Sequence, residues 1–171
     1  SAPSFKPRWL IASRLSPEKG VAELVHRWPR EHSLEIAGAG PEEQRIGDAL
    51  SESTHLVGFK SADWLARFMP EFTGLVFPGR SPEGIPTTAL QALGAGLPIV
   101  ARAGNGAADL VQAEGVGSVY EDDPHGASLL AALNAVSGSG QILRTRAREL
   151  YERDFSRFTW IHNVNEIYAR A

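Results

Sequence analysis

In EGIPTTALQ, residues 83–91, a carboxylate precedes what reads as a helix start and an amide follows on the second turn. Pro86 presets the φ of a first helical turn. The N–H groups of Thr87 and Thr88 then have no partner within the helix and point out of its start, where partial positive charge attracts anions such as phosphate. Glu83 beside an anion site is repelled unless it has work of its own, such as accepting hydrogen bonds from sugar hydroxyls. Thr87 and Gln91 share one helix face and look toward the same ligand. The same residues also make a plain helix cap with a solvated Gln91, and on their own they leave both readings open.

Three more loops carry groups of this kind. In ASRLSPEKGV (12–21), Arg14 offers a planar fork of donors and Lys19 a mobile point charge, a pair suited to clamping a diphosphate. The alternative is a solvated turn in which SPEK only starts a helix. IAGAGPEE (36–43) contains Gly-x-Gly, but Glu43 takes the place of the third glycine of a dinucleotide fingerprint. The acid expected ~20 residues further on has no clear candidate in THLVGF, which disfavours an NAD-dependent enzyme. Gly38 and Gly40 still allow a flat ligand to approach the backbone. In ARAGNGAADLV (101–111), Gly104 and Gly106 bracket Asn105 ahead of a short helix, either as a nest of backbone donors or as a tight turn.

Other tempting groups carry less. The histidines at 26, 32, 55, 125 and 162 lack metal-ligand spacing. The acidic run Glu121, Asp122, Asp123 reads as the cap of a helix starting near Pro124. RTRARELYERD (144–154) alternates charge and reads as a solvated helix face. Trp9, Trp28 and Trp64 lie on apolar faces and are expected in the core. No Ser/His/Asp arrangement follows from spacing.

The elements that must position these loops alternate. Short apolar runs at 8–13, 33–38, 55–59, 73–78, 97–102 and 117–120 read as buried strands. Between them lie helical patterns: VAELVHRW, PEEQRIGDAL with Pro41 first, SADWLARFM capped by Ser61, PTTALQALGAG stopping at glycine, and GAADLVQAE. From Pro124 the chain reads as helical to its end, with SGSG (137–140) as a flexible joint. The expected fold is α/β: one Rossmann-like, doubly wound parallel sheet of about six strands with helices on both faces. Ligands of such sheets bind at the carboxyl ends of the strands, where every loop above sits.

Composition narrows the partners. The 171 residues suffice for one domain with a core, spanning 1–171. A net charge of −3 provides no basic field for nucleic acid. Cysteine is absent, which excludes disulfides and thiolate metal sites and agrees with a reducing compartment. No apolar run approaches the ~20 residues of a membrane span, and no signal peptide is visible. The chain starts without Met, and Ser1 and Ala2 read as a tag scar, so a fragment of a longer protein is expected.

Taken in order, these loops resemble the family 4 retaining glycosyltransferases of the GT-B fold. ASRLSPEKGV resembles their G-R-L-x-x-E-K-G segment, IAGAGPEE their I-x-G-x-G-P turn, and HLVGF a shortened V-x-F-x-G strand. SPEGIPTTALQALGAGLPIVARAGNGAADLV resembles their E-G-x-P/G-x-x-x-x-E-A-x-A-x-G-x-P-V-V-A motif, and FTWIHNVNEIY their closing helix. The resemblance spans nearly the whole chain and covers only the C-terminal, sugar-nucleotide-binding half of the GT-B fold. It implies a UDP- or GDP-linked sugar donor, no metal and no further cofactor. Arg14 and Lys19 would hold the diphosphate and neutralise it as it leaves, and Glu83 would contact the donor sugar. Gly84, Ile85, Pro86, Thr87 and Thr88 would lie near the phosphates and sugar, Phe59 and Lys60 beside the base, and Gln91 at the ribose. Gln91 stands where the family has Glu, and Asn105 and Asp109 where it more often has Gly and Glu.

The activity implied is transfer of a sugar to a glycan, lipid or small-molecule acceptor, completed by an N-terminal acceptor domain of the same protein. The chain alone is then expected to be inactive. A cytoplasmic location is implied, with any peripheral contact at the inner face of the membrane made through that other domain. Two other readings stay open: a degenerate nucleotide-binding module without transferase activity, and half of a GT-B-like sugar-nucleotide epimerase.

Overall fold

A computed structural model describes residues 6–82 and 84–156. Six strands form one parallel sheet: β1 (Arg8–Ala12), β2 (Ser33–Ala37), β3 (Thr54–Gly58), β4 (Gly74–Phe77), β5 (Ile99–Arg102) and β6 (Gly117–Tyr120). Their spatial order is β3-β2-β1-β4-β5-β6. The chain therefore winds outward from β1 in one direction, returns, and winds outward from β4 in the other. At mid-sheet Leu10 of β1 pairs with Glu35 of β2 and with Leu75 of β4.

Among the described residues seven α-helices cover the sheet: α1 (Val21–Val25), α2 (Glu43–Asp48), α3 (Ala62–Phe68), α4 (Thr87–Gly94), α5 (Gly106–Glu114), α6 (Ala127–Gly138) and α7 (Gly140–Leu150). Strand side chains alternate between two cores, as the pleat requires. Leu10, Leu75 and Ile99 pack with α3, α4, α5 and α7 through Leu65, Leu93, Val111 and Ala147. Trp9, Ile11, Val76 and Val100 pack with α1, α2 and α6 through Leu24, Ile46 and Leu133. Burial on both faces explains why the strands read as unbroken apolar runs rather than as an alternation.

Several boundaries differ from expectation for local reasons. Pro41 lies before α2, which starts at Glu43, and the Glu43 carboxylate reaches back to accept from the Gly40 N–H at 2.9 Å. With the Glu43 N–H bonded to Gly40 O at 3.2 Å, residues 40–43 close a turn ahead of the helix, which starts two residues late. Pro86 is the N-cap of α4 rather than its first residue, and the helix ends at Gly94. Helix α1 stops at Val25, short of Trp28. Ser61 caps α3 as expected, accepting from the Trp64 N–H at 3.1 Å.

The acidic run does act as a cap, but the helix begins at Ala127, not near Pro124. The Asp123 carboxylate accepts from the backbone N–H groups of His125, Ala127 and Ser128. Those bonds, Ser128's first, hold it below the usual carboxylate range. Between α6 and α7 only Ser139 separates the helices, so SGSG is a one-residue break rather than a flexible joint.

The face of 144–154 is not simply solvated. Ala147 and Leu150 are buried, and the Arg144 guanidinium donates to the carbonyl of Phe72 and, more loosely, to those of Pro70 and Gly96. These carbonyls lie in the segments that lead into β4 and β5, so a long cationic side chain ties those segments to α7. Trp9 and Trp28 are core residues. Trp64 is only half-buried, with Lys60 Nζ 5.2 Å above its ring. The closing helix read at FTWIHNVNEIY lies outside the described residues.

Candidate functional site

The strand order reverses between β1 and β4, and there the two outgoing loops diverge and leave a crevice at the carboxyl edge. The β1 loop carries Ser13, Arg14 and a 3-10 turn at Pro17–Lys19. The β4 loop runs from Pro78 to Pro86 and leads into α4. Gly20, at φ 67°, lets the two pass, because a Cβ there would lie 2.5 Å from the Pro78 carbonyl oxygen.

The β1 loop is stitched to its other neighbour. Ser13 N–H donates to Ala37 O, Leu15 N–H to Ala39 O, and Glu42 N–H to Leu15 O, all within 3.1 Å. Gly38 and Gly40 lie against this loop. A Cβ on either would collide with the carbonyl oxygen of Ser13 or Leu15. The close backbone approach that these glycines permit is made by the protein's own β1 loop, and Gly38 also lines the wider cavity at this edge.

Two cavities flank Ser13. The wider, about 360 Å³, is lined by Ala12, Ser13, Arg14, Gly38, Phe59, Lys60, Leu65 and Thr88 among others. It brings together five of the expected residues from β1, β2, β3 and α4. Phe59 is 76% exposed, an unusual position for a ring unless something covers it. The Arg14 side chain is exposed and makes no hydrogen bond or salt bridge among the described residues; its carbonyl accepts from Ser13 Oγ at 3.1 Å. The narrower cavity, about 40 Å³, is lined by Ser13, Glu18, Lys19, Gly79, Ser81, Gly84, Pro86 and Asn105 among others. Ala12 and Ser13 border both.

Glu18 in the narrow cavity accepts from Ser16 Oγ at 2.6 Å, and this bond, with the charges of Lys19 and Arg14 nearby, holds its carboxyl below the usual range. Ile85 and Thr87 are exposed and line neither cavity, and Gln91, half-buried one turn on, lines neither as well. Glu83 lies outside the described residues.

The loop reading missed the structural role of Asn105. Asn105 is buried, and its side chain is committed to the fold rather than offered to a ligand. Its Oδ1 accepts from the Ala108 N–H at 2.9 Å as the N-cap of α5, and its Nδ2 donates to Gly79 O at 3.0 Å and Phe77 O at 3.4 Å. The signal for the cap was present, since Asn directly before a helix is a preferred N-cap. The reach to the β4 loop was not, because it joins elements distant in sequence. Among the described residues no group of three or more His, Asp or Glu is placed to hold a metal ion, and no helix is long and apolar enough to cross a membrane.

A parallel sheet in this order, with its loops gathered at the switch point, is a Rossmann-like half of the GT-B glycosyltransferase fold. The chain belongs to the glycosyl transferases group 1 family, whose model matches residues 6–139. Solved structures agree on the fold. Sucrose-phosphate synthase from Thermosynechococcus elongatus superposes with a TM-score of 0.80 at 20% identity, over 98% of this chain and 46% of that one. Anabaena HepE in complex with UDP gives 0.77 at 19% identity, over 96% and 49%. The apo form of the lipopolysaccharide outer core galactosyltransferase WaaB gives 0.73 at 20%, over 100% and 51%. The chain thus spans about half the length of these proteins. No curated protein matches it.

Proposed function

We propose that this chain is the donor-binding half of a retaining glycosyltransferase that takes sugar from a UDP- or GDP-linked donor. The observation that carries the reading is the placement of Arg14, Lys19 and the start of α4 around one crevice centred on Ser13. The nucleobase would lie in the wide cavity by Phe59 and Lys60. The diphosphate would cross at Ser13, and the sugar would point toward Gly84 and Glu83. HepE, which shares the fold, was crystallised with UDP, which supports a nucleotide ligand.

The chemistry follows from charge. As the bond between the sugar and the leaving phosphate breaks, its electron pair stays on the phosphate oxygen. Arg14, Lys19 and the N–H groups of Thr87 and Thr88 stabilise that growing charge, and groups fixed in advance do so without reorganising. These donors let the departure proceed without a metal. The acceptor and the closure that excludes water would come from a second, N-terminal domain, so the chain alone should show no turnover. A cytoplasmic site of action agrees with the use of nucleotide sugars in this reading.

Calorimetric titration with UDP and with GDP tests it. Binding of at least one, at millimolar dissociation constant or tighter, is expected; silence from both at about millimolar nucleotide contradicts it. Gln91 favours a second reading, a nucleotide-binding module without transfer, because an amide replaces the acid of the resembled motif. Transfer or steady hydrolysis of a donor by the full-length protein would reject that alternative.

A further inference from the structure

We propose that Asn105 is a positioning residue of the donor site, acting through the β4 loop on the turn that carries Lys19. This rests on the reading of the chain as a donor-binding domain. The geometry is a relay of main-chain contacts. Asn105 Nδ2 donates to Gly79 O at 3.0 Å and to Phe77 O at 3.4 Å. The next residue, Arg80, donates its N–H to Glu18 O at 3.0 Å. Glu18 directly precedes Lys19, and Gly79 packs 3.5 Å from Glu18 O and 3.9 Å from the Lys19 Cα, measured from where its Cβ would stand. Glu18, Lys19, Gly79 and Asn105 all face the narrow cavity.

The orientation of the amide follows from its neighbours. Exchanging its oxygen and nitrogen would set an acceptor against two carbonyls and a donor against the Ala108 N–H. Both Nδ2 hydrogens and Oδ1 are thus used, and all three bonds are internal to the fold. One buried side chain therefore braces three loops, those after β1, β4 and β5, at the switch point. The consequence of this brace is preorganisation: the β1 turn and the entry to α4 keep their spacing before a diphosphate arrives, which lowers the ordering cost of binding.

Two substitutions separate this role from that of a helix cap. Asn105→Ser and Asn105→Asp both keep an oxygen for the Ala108 N–H and lose both bonds to the β4 loop. For both, UDP affinity should fall about tenfold, and amide exchange at Arg80 should speed up about tenfold while Ala108 stays protected. A role confined to capping α5 would leave Arg80 exchange and UDP affinity at wild-type values, and that result overturns the proposal. So does a loss of affinity that only tracks a loss of folded protein by thermal melt. If wild type binds neither UDP nor GDP, the donor reading fails, and Arg80 exchange without nucleotide still decides whether the brace exists.

Discussion

The two cavities at the carboxyl edge are built on different principles. The wide one, beside Phe59 and Gly38, is an open space of about 360 Å³ with an exposed ring at its rim. The narrow one, beside Lys19 and Asn105, is about 40 Å³ and crossed by hydrogen bonds among three loops. An aromatic base needs area and a flat partner, and tolerates slack. A diphosphate needs charges and dipoles at fixed positions, because the strength of a hydrogen bond falls steeply with misalignment.

Predictions that break or sharpen this contrast run from the clamp outward. Arg14→Ala and Lys19→Ala remove charge-assisted bonds to phosphate, and each should weaken UDP binding by about tenfold to a hundredfold in calorimetry. Wild-type affinity in both would refute the clamp. On the wide side Phe59→Ala should cost about fivefold to tenfold in UDP affinity while the melting temperature holds, since the ring is 76% exposed and packs little. A large drop in melting temperature would make Phe59 a structural residue. Gln91→Glu should raise affinity about threefold at neutral pH, because a carboxylate accepts more strongly from hydroxyls than an amide. No change would place Gln91 away from the nucleotide.

The last prediction concerns stability rather than the site. His32 is buried, with Nδ1 accepting from Trp9 Nε1 at 3.0 Å and Nε2 against Asn134 Oδ1 at 3.1 Å. Nδ1 has no room for a proton without losing the indole bond, and burial lowers the imidazole pKa. The unfolded chain then binds more protons below its own pKa, about 6.5. The stability from this group is full above that pH and declines as pH falls below it. The melting temperature should therefore drop by a few degrees from pH 7 to pH 5, and His32→Gln should flatten that slope.

The fold was legible because its signals are local and repeated. Six apolar runs separated by helix starts leave little choice but a parallel sheet, and all six strands fall within two residues of expectation at each end. The helix ends were read less well, because side chains such as Glu43 and Asp123 set them by reaching to neighbouring N–H groups. For the site, the loops containing Arg14, Lys19 and Thr88 were found by residue type and Phe59 through the family resemblance, and the structure gathers them at one edge. The contacts that Gly38, Gly40 and Asn105 make within the fold were not legible. Each answers to a carbonyl contributed by a different loop, and no spacing in the chain announces such a meeting.

The most direct test is to map UDP onto the isotopically labelled chain by backbone amide shifts. The account predicts perturbations confined to the carboxyl edge, at Gly38, Phe59, Lys60 and Thr88 on the wide side, at Lys19 on the narrow side, and at Thr87 at the start of α4. Shifts clustered elsewhere, for example beside Lys6 and Arg30 at the opposite edge, would contradict it, as would a spectrum that UDP and GDP leave unchanged.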